Sequence, residues 1–158
     1  MYTNEFCIKM TYHVKDNVLH YIYTELSSIP RHIIDVCDAY EGAIKGRIGF
    51  NFPMSIVKKV NPKSPLLDFH AAYFVGYRKG DIQTKRHELQ HAKYHLNQEF
   101  REEVRALWDS STKEFQQTVL DRLLQMKYPN DMAILLDEFQ AYHFTECAFW
   151  EKSKKNLS

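Results

Sequence analysis

Alternating apolar and polar positions predict β-structure in the first half of the chain. Residues 5–14 alternate well enough for a strand, and the Asp16-Asn17 pair that follows is a turn signal. The aromatic and branched segment 18–26 suits either a strand or a helix, and we favour a helix there. Another strand is predicted over 69–77, and residues 78–81 form the turn that ends it. This strand delivers the chain directly to its longest helical pattern.

Apolar residues at helical spacing predict four helices, and the last is apolar on most sides, which indicates burial. The predicted helices span residues 32–41, about 83–108, a segment that begins after the capping residues 109–112, and 132–150. Three prolines predict a loop over 51–65, apart from a short apolar piece at 54–57.

The order of these elements predicts an α+β fold, in which a small sheet packs on a mainly helical domain. A chain of 158 residues is long enough for one sizeable core and short for two. We find no internal repeat and no linker. We therefore expect one domain over residues 1–152 and a flexible polar tail over 153–158.

Composition and charge exclude several classes of function. The chain is 44% hydrophobic, so we expect it to fold. Its 21 basic residues balance 20 acidic ones, so the chain has no strong positive electrostatic field that would attract nucleic acid. No apolar stretch has the length of a membrane span, and the N-terminal residues do not form a signal peptide. Three widely spaced cysteines fit a reducing compartment. We expect a soluble, cytoplasmic protein with no nucleic-acid or membrane partner.

The segment 85–96 carries a pattern with specific chemistry, His87-Glu88-x-x-His91, inside continuous helical spacing. Residues four apart share one helix face, so the two histidines can hold one zinc ion. Glu88, about 100° round the helix, can reach a water bound to that ion and act as its general base. The apolar residues fall on the opposite side of the predicted helix: Leu89, Ala92, Leu96, Phe100, Val104 and Leu107.

A catalytic zinc needs a third protein ligand, and Glu138 is the best candidate. Its helical neighbours are apolar or aromatic, namely Ile134, Leu135, Ala141 and Tyr142. A carboxylate in that setting is desolvated and needs a cation or strong donors. An ion pair between Glu138 and a Lys or Arg of another helix is the alternative. Asp137 is the fallback ligand, and His143 and Glu146 are weaker candidates.

His95 is excluded from the same ion by helix geometry. It lies eight residues after His87, which is about 12 Å along a continuous helix, and there is no glycine nearby to break that helix. We expect His95 to support the site indirectly or to lie on the surface.

On His87, Glu88, His91 and Glu138 the chain resembles the gluzincin class of zinc metallopeptidases. Within that class, residues 73–150 resemble the ImmA/IrrE-type peptidases. The resemblance rests on a wider pattern that also includes His95, Glu138-x-x-Ala141 and Phe144. The resemblance implies a zincin-like fold with bound Zn²⁺ and a peptide or protein substrate. Tyr142 stands where the thermolysin-like pattern has an Asp that orients a zinc histidine, so the orienting residue is unassigned.

These observations predict a zinc-dependent peptidase in which Glu88 takes a proton from the zinc-bound water and passes it to the leaving amine. Tyr142, His143 or Tyr94 could donate a hydrogen bond to the oxyanion, and the strand that ends at Tyr77 could pair with the substrate backbone. The alternative is a non-catalytic helical binding module, with a structural metal site or surface histidines. The oligomeric state is left open.

Overall fold

One mixed sheet organises the first half of the molecule. A computed structural model of the protein describes residues 10–146 and 148–151. Its four strands are β1 (Met10–Lys15), β2 (Val18–Tyr23), β3 (Phe50–Pro53) and β4 (Tyr73–Arg78). The order across the sheet is β1-β2-β4-β3, in which β2 and β4 are parallel and the outer pairs are antiparallel. β4 is therefore an inner strand, and β3 lies at one edge.

Six α-helices accompany this sheet in the described part of the chain, which confirms the predicted α+β class. They are α1 (Arg31–Glu41), α2 (Val57–Val60), α3 (Ile82–Leu96), α4 (Gln98–Ser110), α5 (Lys113–Gln125) and α6 (Met132–Thr145). The last four helices are each capped at the N-terminus by a side chain that accepts a backbone N–H bond: Asp81, Asn97, Thr112 and Asp131. None of the described helices has the length and hydrophobicity needed to cross a bilayer.

Helix α3 lies between the sheet and a separate helical core. On one face of the sheet, buried residues such as Tyr21 and Phe74 pack against α1. On the other face, Val75 packs with Ala92 of α3. Beyond α3, the helices α4, α5 and α6 bury a third cluster that includes Phe139. Any site on α3 and α6 is therefore held at the junction of these cores.

The predicted helix over residues 18–26 is wrong, because residues 18–23 form β2. Inner strands are buried on both faces, so they lack the alternation that identifies an edge strand. The turn prediction is confirmed, since Asp16 and Asn17 both adopt positive φ between β1 and β2. Residues 5–9 of the first predicted strand lie outside the described residues, as do residues 153–158 of the predicted tail.

Two further boundaries differ from the predictions. Part of the predicted loop over 51–65 is ordered as β3, the short helix α2 and two 3-10 turns. The predicted helix over 83–108 is two helices, α3 and α4, because Asn97 leaves the helical conformation and its side chain caps α4 through the N–H of Phe100. A strong N-cap residue can end one helix and start the next without a glycine. Leu96, placed on the buried stripe, is 40% exposed at this break.

Candidate metal centre

Three side chains from two helices meet at the junction. α3 places His87 and His91 one turn apart, with their Nε2 atoms separated by 3.3 Å. Oε2 of Glu138, on α6, lies 3.8 Å from Nε2 of His87 and 3.6 Å from Nε2 of His91. Tetrahedral zinc with bonds of about 2.0–2.2 Å separates its ligand atoms by about 3.3–3.6 Å. The group could therefore hold one metal ion, and its donors suit zinc and other divalent transition metals.

The environment of Glu138 fits a cation. The residue is 4% exposed, and its Oε2 atom is buried without a hydrogen-bond partner. A buried carboxylate oxygen without a donor is costly, and a metal ion would remove that cost. Within the described residues, the basic side chains within 4 Å of the Glu138 carboxylate are His87 and His91 rather than a Lys or Arg.

Asp137 contacts the other nitrogen of a ligand histidine. Its Oδ1 atom lies 2.8 Å from Nδ1 of His91 and accepts a second bond of 3.0 Å from Nε2 of Gln140. A carboxylate on Nδ1 fixes the tautomer that leaves Nε2 free for a metal. Asp137 therefore orients His91 and lies outside the ligand group, so the orienting role falls one residue before Glu138 rather than four residues after it.

Burial dominates the ionisation of the site. It raises the pKa of Glu88 and the pKa of Glu138 to about 7, although nearby His91 opposes the shift in both. Burial, with His91, lowers the pKa of His87 to about 4, so this imidazole is neutral at pH 7, the form that binds metals. Burial also lowers the pKa of His91, but Asp137 and Glu138 outweigh it and raise that pKa well above its usual range.

Glu88 lies beside the ligand group in the same cleft, which has a volume of about 580 Å³. The cleft is bounded by α3, α6, β3 and the loop of residues 42–49. Oε2 of Glu88 accepts a 2.8 Å hydrogen bond from Nδ2 of Asn51, on β3. Sequence reasoning missed Asn51, because the segment that contains it was assigned to a loop.

The loop of residues 42–49 is attached to α1 by Arg47. The guanidinium donates 2.7 Å hydrogen bonds to Oδ1 of Asp38 and to the carbonyl of Gly42, and its Nε lies 3.1 Å from Oε1 of Glu41. These three contacts attach one wall of the cleft to α1. At the end of the same loop, the backbone of Gly49 lies against the Glu88 carboxylate.

The candidate oxyanion donors lie in different places. Tyr142 lines the cleft, with its ring centroid 4.5 Å from that of His87 and its hydroxyl 3.2 Å from the hydroxyl of Tyr128. The ring of His143 instead packs against Phe139. Tyr94 lines a separate cavity, which adjoins the cleft at Asn51 and Glu138. Tyr128 also lines the cleft and was missed, since it lies in the turn before α6 and outside any motif.

The remaining candidates do not join the ligand group. The ring of His95 lies 5.0 Å from that of Tyr73, and its side chain lines the separate cavity with Tyr94. Glu146 lines the cleft outside the group of three.

Comparisons of the chain with protein-family models, with curated proteins and with solved structures found no match. The assignment of a metal centre therefore rests on the geometry of His87, His91 and Glu138.

Proposed function

We propose that this protein is a zinc-dependent metallopeptidase. The observation that carries the proposal is the unpartnered buried Oε2 of Glu138, which lies within 4 Å of both histidine Nε2 atoms while Glu88 lines the same cleft. Two imidazole nitrogens and one carboxylate would hold the ion with three protein ligands, the number that is typical of catalytic zinc with a bound water.

Bound zinc would act as a Lewis acid toward a water and a substrate carbonyl. Glu88 would accept the proton of the attacking water and pass it to the leaving amine. Its raised pKa of about 7 matches such a task at neutral pH. The hydroxyl of Tyr142 is our preferred donor to the carbonyl oxygen, because Tyr142 lies against His87.

The position of β3 supports a peptide substrate. The predicted pairing of substrate with the strand that ends at Tyr77 is wrong, because β4 is bonded to β2 and β3 on its two sides. β3 has one unpaired edge among the described strands, and its residue Asn51 lines the cleft. An extended peptide that pairs with this edge would lie beside Glu88.

The test is zinc content and hydrolysis of denatured casein by wild type, Glu88→Gln and His95→Ala. We expect about one zinc per chain in all three proteins, since neither residue is proposed as a ligand, and casein cleavage that Glu88→Gln abolishes and His95→Ala retains. Loss of zinc from His95→Ala, with the helix content intact by circular dichroism, would contradict the ligand assignment. Wild type that holds zinc but cleaves no casein would contradict the peptidase proposal.

A structural metal site is the second candidate, and the burial of the ligands favours it, since His91 is 1% exposed and Glu138 is 4% exposed. Chelation separates the two candidates. A catalytic site predicts that zinc removal leaves the circular dichroism spectrum unchanged at 25 °C, whereas a structural site predicts that the fold is lost with the metal.

A further inference from the structure

The carboxylate of Glu88 is held on two sides, by Asn51 of β3 and by Gly49, the residue before that strand. On one side, Oε2 accepts the 2.8 Å hydrogen bond from Nδ2 of Asn51. On the other side, Oε1 lies so close to the backbone of Gly49 that a Cβ atom there would be 1.9 Å away. Glu88 is 5% exposed and Asn51 is 4% exposed, so water does not replace these contacts. The carboxylate has one defined orientation.

Tyr73 determines which way the amide of Asn51 faces. The Tyr73 hydroxyl donates a 2.8 Å hydrogen bond to Oδ1 of Asn51, which directs Nδ2 toward Glu88. An ionised carboxylate only accepts hydrogen bonds, so the reversed amide would place Oδ1 against a carboxylate oxygen and lose the hydrogen bond to Glu88. The chain of contacts from Tyr73 through Asn51 to Glu88 therefore has a single direction of donation.

The strand that carries Asn51 is packed against the core by its aromatic side chains. Alternate side chains of a strand point to opposite faces, so Gly49 and Asn51 face α3 while Phe50 and Phe52 face the core that contains α1. Phe52 is stacked on Phe74 of the neighbouring strand at 4.3 Å. Burial of these rings fixes the register of β3 and with it the position of the Asn51 amide.

We propose that Asn51 is a positioning residue that, oriented by Tyr73, holds the carboxylate of Glu88 in the orientation from which Glu88 would act as the general base. The inference rests on the proposed peptidase function, in which Glu88 is the general base. Asn51 itself does not touch the reacting atoms. Gly49 contributes by leaving the space that the carboxylate occupies.

Kinetics of zinc-loaded full-length variants test this role, with the casein-derived peptide that wild type cleaves fastest as the substrate. Asn51→Asp keeps the shape but replaces the donor with an acceptor, and we expect kcat to fall about 10- to 100-fold while KM and zinc content stay unchanged. Tyr73→Phe, which removes one hydroxyl, should lower kcat less. Gly49→Ala should lower kcat as Asn51→Asp does, because the displaced atom is the end of a flexible side chain. Asn130→Asp, at an exposed position, is the matched control.

Binding of acetohydroxamic acid, measured by calorimetry on the zinc-loaded protein, gives a readout that needs no turnover. A hydroxamate chelates zinc and shares its proton with a carboxylate beside the metal. Glu88→Ala and Asn51→Asp should each weaken binding about tenfold, and the double variant should be no weaker than Glu88→Ala, since Asn51 acts only through Glu88.

The outcomes distinguish the two proposals. Wild type that shows this hydroxamate pattern but cleaves no peptide would retain the positioning role and reject the peptidase function. Cleavage by Asn51→Asp and Tyr73→Phe at the wild-type kcat would reject the positioning role alone. If Asn51→Asp and Tyr73→Phe each lose thermal stability and zinc in proportion to their loss of activity, the positioning role is rejected in favour of a general structural role. Wild type that binds no zinc would reject both.

Discussion

Three carboxylates that are buried or largely buried, those of Glu41, Glu88 and Glu138, line one cleft. Burial raises the pKa of each to about 7. Their partners differ in kind. Glu41 forms an ion pair with Arg47 at 3.1 Å. Glu88 accepts a hydrogen bond from the neutral amide of Asn51, and Glu138 faces two histidines. Negative charge therefore outweighs positive charge when all three are ionised. A divalent cation would correct that imbalance and return the acids toward their ordinary pKa values.

The change Glu138→Ala tests this balance. It should lower zinc affinity at least about 100-fold, because it deletes one of three ligands. In the zinc-free protein it should leave the free energy of unfolding nearly unchanged or raise it, since the unpartnered Oε2 atom is removed. Zinc titration and urea melts, each with and without chelator, measure both effects.

The control for this variant is Glu99→Ala, at an exposed position on α4. A loss of a few kcal/mol in Glu138→Ala, with or without metal, would indicate that a buried cation other than zinc has lost its partner. Zinc affinity equal to that of wild type would remove Glu138 from the ligand set.

At the scale of elements, the boundary between α3 and α4 is set by one capping side chain. Oδ1 of Asn97 accepts a 3.0 Å hydrogen bond from the N–H of Phe100, and the backbone at Asn97 is extended. The break allows α4 to turn away from α3 and join α5 and α6 around Phe139, while α3 stays on the sheet. His87 and His91 precede the break, so the geometry of the candidate metal site does not depend on it.

Replacement of Asn97 by Ala should therefore lower the free energy of unfolding by about 1 kcal/mol without a change in zinc affinity. The physical reason is that alanine cannot accept the hydrogen bond from the Phe100 N–H in the first turn of α4. Urea melts measure the loss, and Asn130→Ala serves as the control. An unchanged free energy of unfolding would show that water satisfies the Phe100 N–H equally well.

For the whole molecule, the buried His20 couples stability to pH. It packs between β1 and β4, where its ring stacks on His13 at 4.5 Å and its Nδ1 atom lies 2.9 Å from the Tyr77 hydroxyl. Burial lowers its pKa to about 4; His13, Lys85 and Lys15 add to the shift, and Asp16 opposes it. Because the folded pKa lies below the unfolded value of about 6.5, the unfolded state binds more protons between these values.

Stability from His20 is therefore complete above pH 6.5 and is lost as the pH falls toward 4. The variant His20→Phe keeps an aromatic ring but cannot take up a proton. We expect the free energy of unfolding of wild type, relative to this variant, to fall by about 2 to 3 kcal/mol between pH 7 and pH 4. Urea melts of both proteins at half-unit steps, with chelator present, check the slope. Parallel curves would mean that His20 ionises freely in the folded state.

The sequence alone was sufficient for features that depend on one helix. The four-residue spacing of His87 and His91 places them together in any helix, and the apolar neighbours of Glu138 on its own helix indicated a desolvated carboxylate. The α+β class, α1 and the Thr112 cap were also predictable, because helical periodicity and capping are local. The same local rules misassigned β2, whose burial on both faces comes from its neighbours in the sheet.

Tertiary structure decided the contacts that join distant segments. The bond from Asn51 to Glu88 spans 37 residues, and the contact from Asp137 to His91 spans 46. Neither follows from spacing, since each depends on which strand lies beside α3 and how α6 is rotated about its axis. Those two quantities are set by the packing of whole buried faces, the rings of β3 on one side and the cluster around Phe139 on the other.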